Sequence, residues 1–332
     1  MGGDAAPAVV VEGVLQAARR DPGSQYLLAG RPDQLEAELA RQGGAPPCVS
    51  VVPAAQVIGM NEHPVMALKS KRDSSIMRCV KLVLEGRADG LMSAGNTGAV
   101  VAASIFKLGL LEGIKRAGIL VPFPSEKGFS AIIDVGANPN CRPLNYLQYA
   151  IMASAYLKLV QNLTEEPKIG LLNIGEESEK GTEVVQHAHQ ALRRFFGDRF
   201  AGNIEGHELF SSRAQVIVCD GFVGNVVLKM AEGVVGFMMR KVGANGLPAD
   251  AKASLSQFAG RFDYAEYGGA PLLGVRGVVI IAHGRSDARA IDRALQTTVG
   301  LCEQGLIDRI AQDVKALTLW KRVSMWFGGK EE

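Results

Sequence analysis

Apolar positions recur at helical spacing over residues 8–20 and 32–42, with Tyr26-Leu27-Leu28-Ala29 as a short strand between them. Val49 to Val52 reads as a second short strand. Residues 64–71 and 76–87 are predicted helices, joined by Asp73-Ser74-Ser75, where a serine or aspartate can cap the second helix. Short, continuous apolar runs follow near 89–92, 117–122, 130–135, 168–173, 214–218 and 277–282, mostly separated by helical stretches. Continuous runs of that length suit strands covered on both faces. The pattern predicts an α/β protein with a doubly wound, mostly parallel sheet. The chain shows no repeat, no low-complexity linker and no sharp boundary, so a single domain over 1–332 is expected. Residues 223–242 and 250–262 are two successive helical stretches with no strand between them. They predict a helical hairpin, 223–262, projecting from the sheet.

Five of the apolar runs stop at a short turn of glycine and small polar residues. These are Ser93-Ala94-Gly95-Asn96-Thr97-Gly98, Asp134-Val135-Gly136-Ala137-Asn138, Asn173-Ile174-Gly175-Glu176-Glu177, Cys219-Asp220-Gly221-Phe222-Val223-Gly224-Asn225 and Ala282-His283-Gly284-Arg285-Ser286. In an open parallel sheet the carboxyl ends of the strands share one rim, and ligands bind there. Five such turns therefore describe a built site.

Composition narrows the class. Of 332 residues, 47% are hydrophobic and only 6% aromatic, which suits an α/β enzyme better than an aromatic-rich sandwich. A net charge of +2 argues against a bulk nucleic-acid binder. The five cysteines are scattered and form no C-x-x-C pair, as expected of reduced thiols in a cytosolic protein. The five histidines show no metal spacing, so no metal and no cofactor is expected. The chain start lacks a signal peptide, and no apolar run approaches the roughly 18 residues of a spanning helix. The helix at residue 8 begins almost at once after Met1-Gly2-Gly3-Asp4. A glycine turn that opens a helix normally follows a strand. Either the sheet lacks a strand, or the translated start has been placed too far downstream.

The 93–98 turn carries the sharpest chemistry. Glycines admit a ligand close to the backbone, and main-chain N–H groups at the following helix start favour an anion. Ser93, Asn96 and Thr97 add neutral donors. Neither G-x-G-x-x-G nor G-K-[ST] occurs, so the ligand is expected to be a small anion such as phosphate rather than a nucleotide. Lys71, Arg72 and Lys180 are candidate cations for it. Asp220 and Asn225 flank a glycine turn, where an aspartate can orient a base or cap a helix. His283 is the one rim histidine and an acid–base candidate. No nucleophile elbow is present. Anion binding without a protein nucleophile suits a reaction in which the bound anion itself attacks.

At this point the residues resemble a known family. The first four of the rim turns, with Met1-Gly2-Gly3-Asp4, Lys71-Arg72-Asp73-Ser74-Ser75 and Tyr267-Gly268-Gly269-Ala270-Pro271-Leu272-Leu273-Gly274, are similar to the PlsX phosphate acyltransferases of bacteria, in order and nearly end to end. The resemblance implies transfer of a fatty acyl group from acyl carrier protein to inorganic phosphate, giving acyl phosphate for phospholipid synthesis. It also implies a homodimer and an isocitrate dehydrogenase/phosphotransacetylase-like fold. The enzyme would be cytoplasmic, in peripheral contact with the membrane and with the next acyltransferase of the pathway. A phosphotransacetylase-like enzyme using acyl-CoA, and a non-enzymatic peripheral scaffold, are the alternatives. A nicotinamide dehydrogenase fits poorly without the dinucleotide fingerprint.

The hairpin completes the expectations. Val226, Val227, Met230, Val234, Phe237 and Met238 repeat at helical spacing as a core or dimer-interface stripe. Arg240, Lys241, Lys252 and Arg261, with Leu255 and Phe258, are expected to meet acidic carrier protein or the membrane surface. The C-terminal stretch with Trp320 and Trp326 is expected to be a docking helix or a weak membrane contact.

Overall fold

The computed structural model describes residues 1–244, 259–260, 262 and 267–326. Their elements follow the apolar pattern closely. Helices α1 (Ala8–Arg20) and α2 (Pro32–Arg41) alternate with strands β1 (Tyr26–Gly30) and β2 (Val49–Pro53). Then come α3 (Pro64–Ser70), α4 (Ser75–Leu84), β3 (Gly90–Ser93), α5 (Thr97–Ala103), β4 (Gly118–Ser125), β5 (Gly128–Ile133) and α6 (Pro143–Val160). The remainder comprises β6 (Ile169–Leu172), α7 (Glu183–Phe196), β7 (Phe200–Ile204), β8 (Val216–Val218), α8 (Gly221–Ala244), β9 (Ala270–Leu273), β10 (Val278–Ile281), α9 (Ala288–Glu303) and α10 (Leu306–Trp326).

Where one domain was expected, the chain divides into two compact units, Met1–Gly109 with Glu232–Glu303, and Leu110–Ala231 with Gln304–Glu332. In the first, β1 and β2 form a parallel pair, and β3, β10 and β9 lie in that order. β3 and β10 run parallel, whereas β9 is antiparallel to β10. In the second the order is β4-β5-β8-β6-β7, parallel except for the β4–β5 hairpin.

Strands β7 and β9 are absent from the expected elements. β7 carries Gly202 and Asn203 among its five residues, and β9 is four residues between glycines. Neither offers a run of strand-favouring side chains; pairing with a neighbour makes them strands. Helix α6 is buried along nearly its whole length, as suits a helix with apolar residues on every side and no continuous polar face. Against it packs α10, which buries Leu306, Ile310, Val314 and Leu317 at helical spacing. The C-terminal stretch is thus helical and docked by its first turns.

Helix α8 gives the first arm of the expected hairpin. The second arm, with Lys252, Leu255, Phe258 and Arg261, lies outside the described residues apart from 259–260 and 262. The expectation that no stretch reaches spanning length needs correction. The segment Gly221–Lys241 has 21 residues with a mean hydropathy of 1.4, long and apolar enough to cross a membrane by length and composition alone. Lys229 and Glu232 interrupt its apolar runs without lowering the average far. Its stripe is not core either: Val226, Met230, Val234, Phe237 and Met238 are all exposed.

Candidate active site

In the first unit three turns meet at the carboxyl end of β3 and β10. The Ala282 amide donates to the Ser93 carbonyl at 2.9 Å, and the Asp4 amide to the Gly284 carbonyl at 2.7 Å. Gly2 lies flat on the 93–98 turn, where a Cβ would fall 2.6 Å from the Gly95 Cα. Only glycine at position 2 permits that approach. Ser93 Oγ accepts from the Gly95 amide at 3.2 Å and closes the turn.

Asn96 is the pivot. It caps α5, its Oδ1 accepting from the Ala99 amide at 3.0 Å. Its Nδ2 faces the carbonyls of Gly59, Met60 and Glu62 at 3.0–3.2 Å. The side chain expected to bind phosphate is therefore engaged within the protein, bracing the 59–62 loop against the turn. Thr97 is exposed and Gly98 half-buried, and the N–H groups of both lie in the first helical turn, which cannot pair them internally. Pro64 covers Gly98 so closely that a Cβ there would meet its Cγ at 2.5 Å.

Lys71 is placed on the same loop. Its Nζ donates to Glu62 Oε1 at 2.5 Å and to the Val57 carbonyl at 2.8 Å. The Lys71 ammonium, with the Gly59 amide, holds the Glu62 carboxyl below its ordinary value. Lys71 is thus a paired cation that shapes the loop, and Arg72 beside it is exposed. Asp73 takes the Ala55 amide and the Arg78 guanidinium, and Ser74 caps α4 as the sequence suggests. On the third turn, His283 Nδ1 accepts from the Arg285 amide at 3.1 Å, which puts the proton of the neutral ring on Nε2.

The second unit has its own rim. The buried Asp134 carboxylate accepts from the amides of Ile119, Gly136 and Ala137 through Oδ1, and from the Asn138 amide and side chain through Oδ2. Burial pushes this carboxyl up, and the donors oppose it. All five donors are N–H groups, so the ionised form suits the pattern. Asn138 also donates to Tyr149 Oη at 2.9 Å. The sequence places Asp134 and Asn138 on a rim turn without giving them a role, and it does not point to Tyr149. The signal was present as an Asp followed within four residues by Gly, Ala and Asn, a side-chain-closed turn.

Asp220 spends Oδ1 on the amides of Phe222 and Val223, both at 2.9 Å, and so caps α8. Of its two sequence readings, capping is the one the geometry uses. Asn225 is exposed one turn on, its Cγ 4.0 Å from where a Cβ on Gly136 would stand. Lys180 is exposed at the end of the turn after β6. Its carbonyl accepts from Asn173 Nδ2 at 3.1 Å and its stem lies over Gly175. Arg240 and Lys241 are exposed on α8, with Lys241 Nζ 5.8 Å from the Phe237 ring centre. Among the described residues no cluster of His, Cys, Asp or Glu could hold a metal ion.

A family profile described as "Fatty acid synthesis protein" matches residues 1–309. A phosphate acyltransferase of Pelotomaculum thermopropionicum is 43% identical over 329 residues, covering 96% of this chain and 94% of the relative. One from Heliobacterium modesticaldum is 45% identical over 323 residues, covering 95% and 96%. The chain belongs to the PlsX phosphate acyltransferase family. As a phosphate acyltransferase it is an enzyme that transfers an acyl group to phosphate. Its fold is that of the phosphotransacetylases. The phosphotransacetylase of Streptococcus pyogenes matches at a TM-score of 0.62 and 17% identity, over 88% of this chain and 91% of that one. The EutD phosphotransacetylase of Staphylococcus aureus matches at 0.58 and 14%, over the same shares.

Proposed function

We propose that this phosphate acyltransferase takes a long-chain acyl group from acyl carrier protein and delivers it to inorganic phosphate bound on the 93–98 turn. The observation that carries the reading is the turn itself, glycine-lined and braced by Asn96, with the Thr97 and Gly98 amides in the first turn of α5, where the helix offers them no partner. One phosphate oxygen attacks the thioester carbonyl carbon. A C–O bond forms, the C–S bond breaks, and the carrier thiolate leaves and takes up a proton. Phosphate is partly dianionic at neutral pH and needs little activation. Positioning supplies up to roughly 7–11 kcal/mol of such a barrier. Each amide aimed at the developing oxyanion adds roughly 3 kcal/mol. His283, on the same rim with the N–H of its neutral ring on Nε2, is suited to donate a hydrogen bond to the departing sulfur, whose proton comes from water.

The product, an acyl phosphate, would feed phospholipid synthesis in the cytoplasm. The exposed stripe of α8 supports two further parts of this reading, a homodimer formed through Val226, Met230 and Phe237, and reversible contact with the membrane and the next acyltransferase. Arg240 and Lys241 would attract an acidic carrier protein and make encounter salt-sensitive.

The test is release of free carrier-protein thiol from long-chain acyl carrier protein, with and without phosphate. Phosphate-dependent release is expected. Release only from acyl-CoA would replace the donor by the coenzyme thioester. Release independent of phosphate would overturn the reading.

A further inference from the structure

Strand β6 runs into the turn Asn173–Gly181, which stands on the second unit's rim beside the turn after β8, since β6 and β8 are parallel neighbours. Residues 176–180 of that turn are all exposed. An exposed turn has water for its hydrogen bonds and needs no support from the core. This one has the support of four side chains. Asn173 Nδ2 donates to the Lys180 carbonyl at 3.1 Å, and Arg213 Nη1 to Glu176 Oε1 at 3.1 Å. Gln186 Nε2 donates to the carbonyls of Glu179 and Gly181. The fourth is Asn203 on β7, whose Nδ2 donates to the Glu177 carbonyl at 2.7 Å.

Of the four, Asn203 alone is buried, with no exposed surface at all. A buried amide costs free energy unless both its ends are paired. Its Oδ1 lies 2.9 Å from Nδ1 of His189, which is itself buried on α7 against the edge of the Phe200 ring. Because Nδ2 donates toward Glu177, Oδ1 is the acceptor facing the imidazole, and the His189 N–H stands on Nδ1. The chain His189–Asn203–Glu177 therefore runs in one direction, from the core to the rim.

The Glu177 carbonyl also accepts from the Lys180 amide, at 3.1 Å. One oxygen thus ties Lys180 to Asn203, and Asn173 holds the Lys180 carbonyl from the other side. The Lys180 stem lies over Gly175 so closely that a Cβ there would meet its Cγ at 2.9 Å and its Cδ at 3.3 Å. Backbone and stem are both set, while the ammonium forms no ion pair with any described residue. Lys71 differs, its ammonium being spent on Glu62. Of the turn's own carboxylates, Glu176 is drawn to Arg213 and Glu179 to the Ser178 hydroxyl. A cation fixed from the core, with its head unpaired, is prepared in advance for an anion from outside.

We infer that Asn203, held in turn by His189, is a positioning residue for the reaction: through the Glu177 carbonyl it fixes the turn that presents Lys180 to phosphate. The inference rests on phosphate as the acyl acceptor, and on neither the carrier protein nor the 93–98 turn.

Inorganic phosphate and an amine-acylating reagent test the placement without turnover. In the parent, phosphate should protect Lys180 from acylation, read by peptide mass spectrometry, and Asn203→Asp should lose that protection. The aspartate keeps the size and the His189 contact but sets an acceptor against the Glu177 carbonyl. In phosphate-dependent thioester cleavage, Asn203→Asp should raise the Michaelis constant for phosphate at least ~10-fold with kcat within ~3-fold of the parent, the mark of lost ground-state binding. His189→Leu should shift the constant the same way, and His189→Asn, which offers an amide N–H in place of Nδ1, should return it to the parent's value. That pair carries the test where the aspartate variant does not fold. In a Lys180→Met background neither Asn203→Asp nor His189→Leu should raise the constant further. Additive effects overturn the inference, because Asn203 then acts on the fold and not through Lys180. So does a Lys180 that phosphate leaves unprotected in the parent, or an Asn203→Asp variant that loses stability with its phosphate constant unchanged. A parent that cleaves thioester without phosphate would sink the function proposed above, and the protection assay would still decide the role of Asn203.

Discussion

Gly224 lies against the backbone of Asp134 so closely that a Cβ on it would stand 2.0 Å from the Asp134 carbonyl oxygen. The first turn of α8 is thereby locked onto the turn after β5, and the Gly221 amide donates to the Asn138 carbonyl at 2.8 Å alongside. We predict that Gly224→Ala destabilises the protein by about 3 kcal/mol, because backbone must move to admit the methyl. Gly233→Ala, in the same helix with nothing within 4 Å, should instead stabilise it by roughly 0.5–1 kcal/mol. Urea denaturation of the two variants checks both signs. Equal effects would mean that the interlock contributes nothing.

Gly95 offers a graded test of the phosphate seat. A Cβ there would meet Ile76, Ser93 and Gly2 no closer than 3.4 Å, an ordinary contact. Gly95→Ala should therefore keep both fold and activity. Gly95→Val should raise the Michaelis constant for phosphate at least ~10-fold, equivalent to about 1.4 kcal/mol of lost binding. Unchanged phosphate kinetics in the valine variant would remove the turn from the site.

Asn96 joins the turn to the 59–62 loop. Asn96→Ala removes a helix cap, worth about 1 kcal/mol, and leaves loop carbonyls without their donor. We expect a loss of about 2–4 kcal/mol in stability together with a raised phosphate requirement. Asn96→Asp should retain the cap but lose the amide donor, placing a carboxylate against three carbonyls. If the aspartate variant binds phosphate as the parent does, the brace is dispensable.

Acid should loosen the same loop. Glu62 has its carboxyl pKa lowered in the folded state, first by the Lys71 hydrogen bond and then by the Gly59 amide. A lowered carboxylate contributes stability above its unfolded value, about 4.3, and loses it as pH falls through the folded value. Between pH 6 and pH 3 the parent should therefore lose more thermal stability than Glu62→Gln. Identical acid limbs in differential scanning fluorimetry would show that the pair is screened by solvent.

The basic and apolar parts of the hairpin should separate by assay. Charge reversal at Lys241 and Lys252 should raise the Michaelis constant for acyl carrier protein several-fold in solution, more at low salt than at high. Polar substitution of Leu255 and Phe258 should reduce co-sedimentation with anionic liposomes and leave soluble turnover intact. Variants that match the parent in both assays would make the hairpin a structural element only.

The periodicity of the chain determined most strands, the helices between them and all five polar turns, because a buried strand needs an apolar run and a rim turn needs glycine. Motif order was enough to indicate the phosphate acyltransferase family. Tertiary structure decided how those turns are held. Asn96 reaches a loop more than thirty residues away, Asp134 gathers amides from two strands' ends, and Lys71 is matched to Glu62 instead of standing free. Side chains of these types bind ligands or close turns with equal ease, so sequence spacing cannot say which. β7 and β9 became strands only through their neighbours, since a glycine-bearing or four-residue segment has little preference of its own. The stripe on α8 was legible as apolar. Only the packing around it shows that this stripe stays exposed, because periodicity reports which residues share a face and not what covers it.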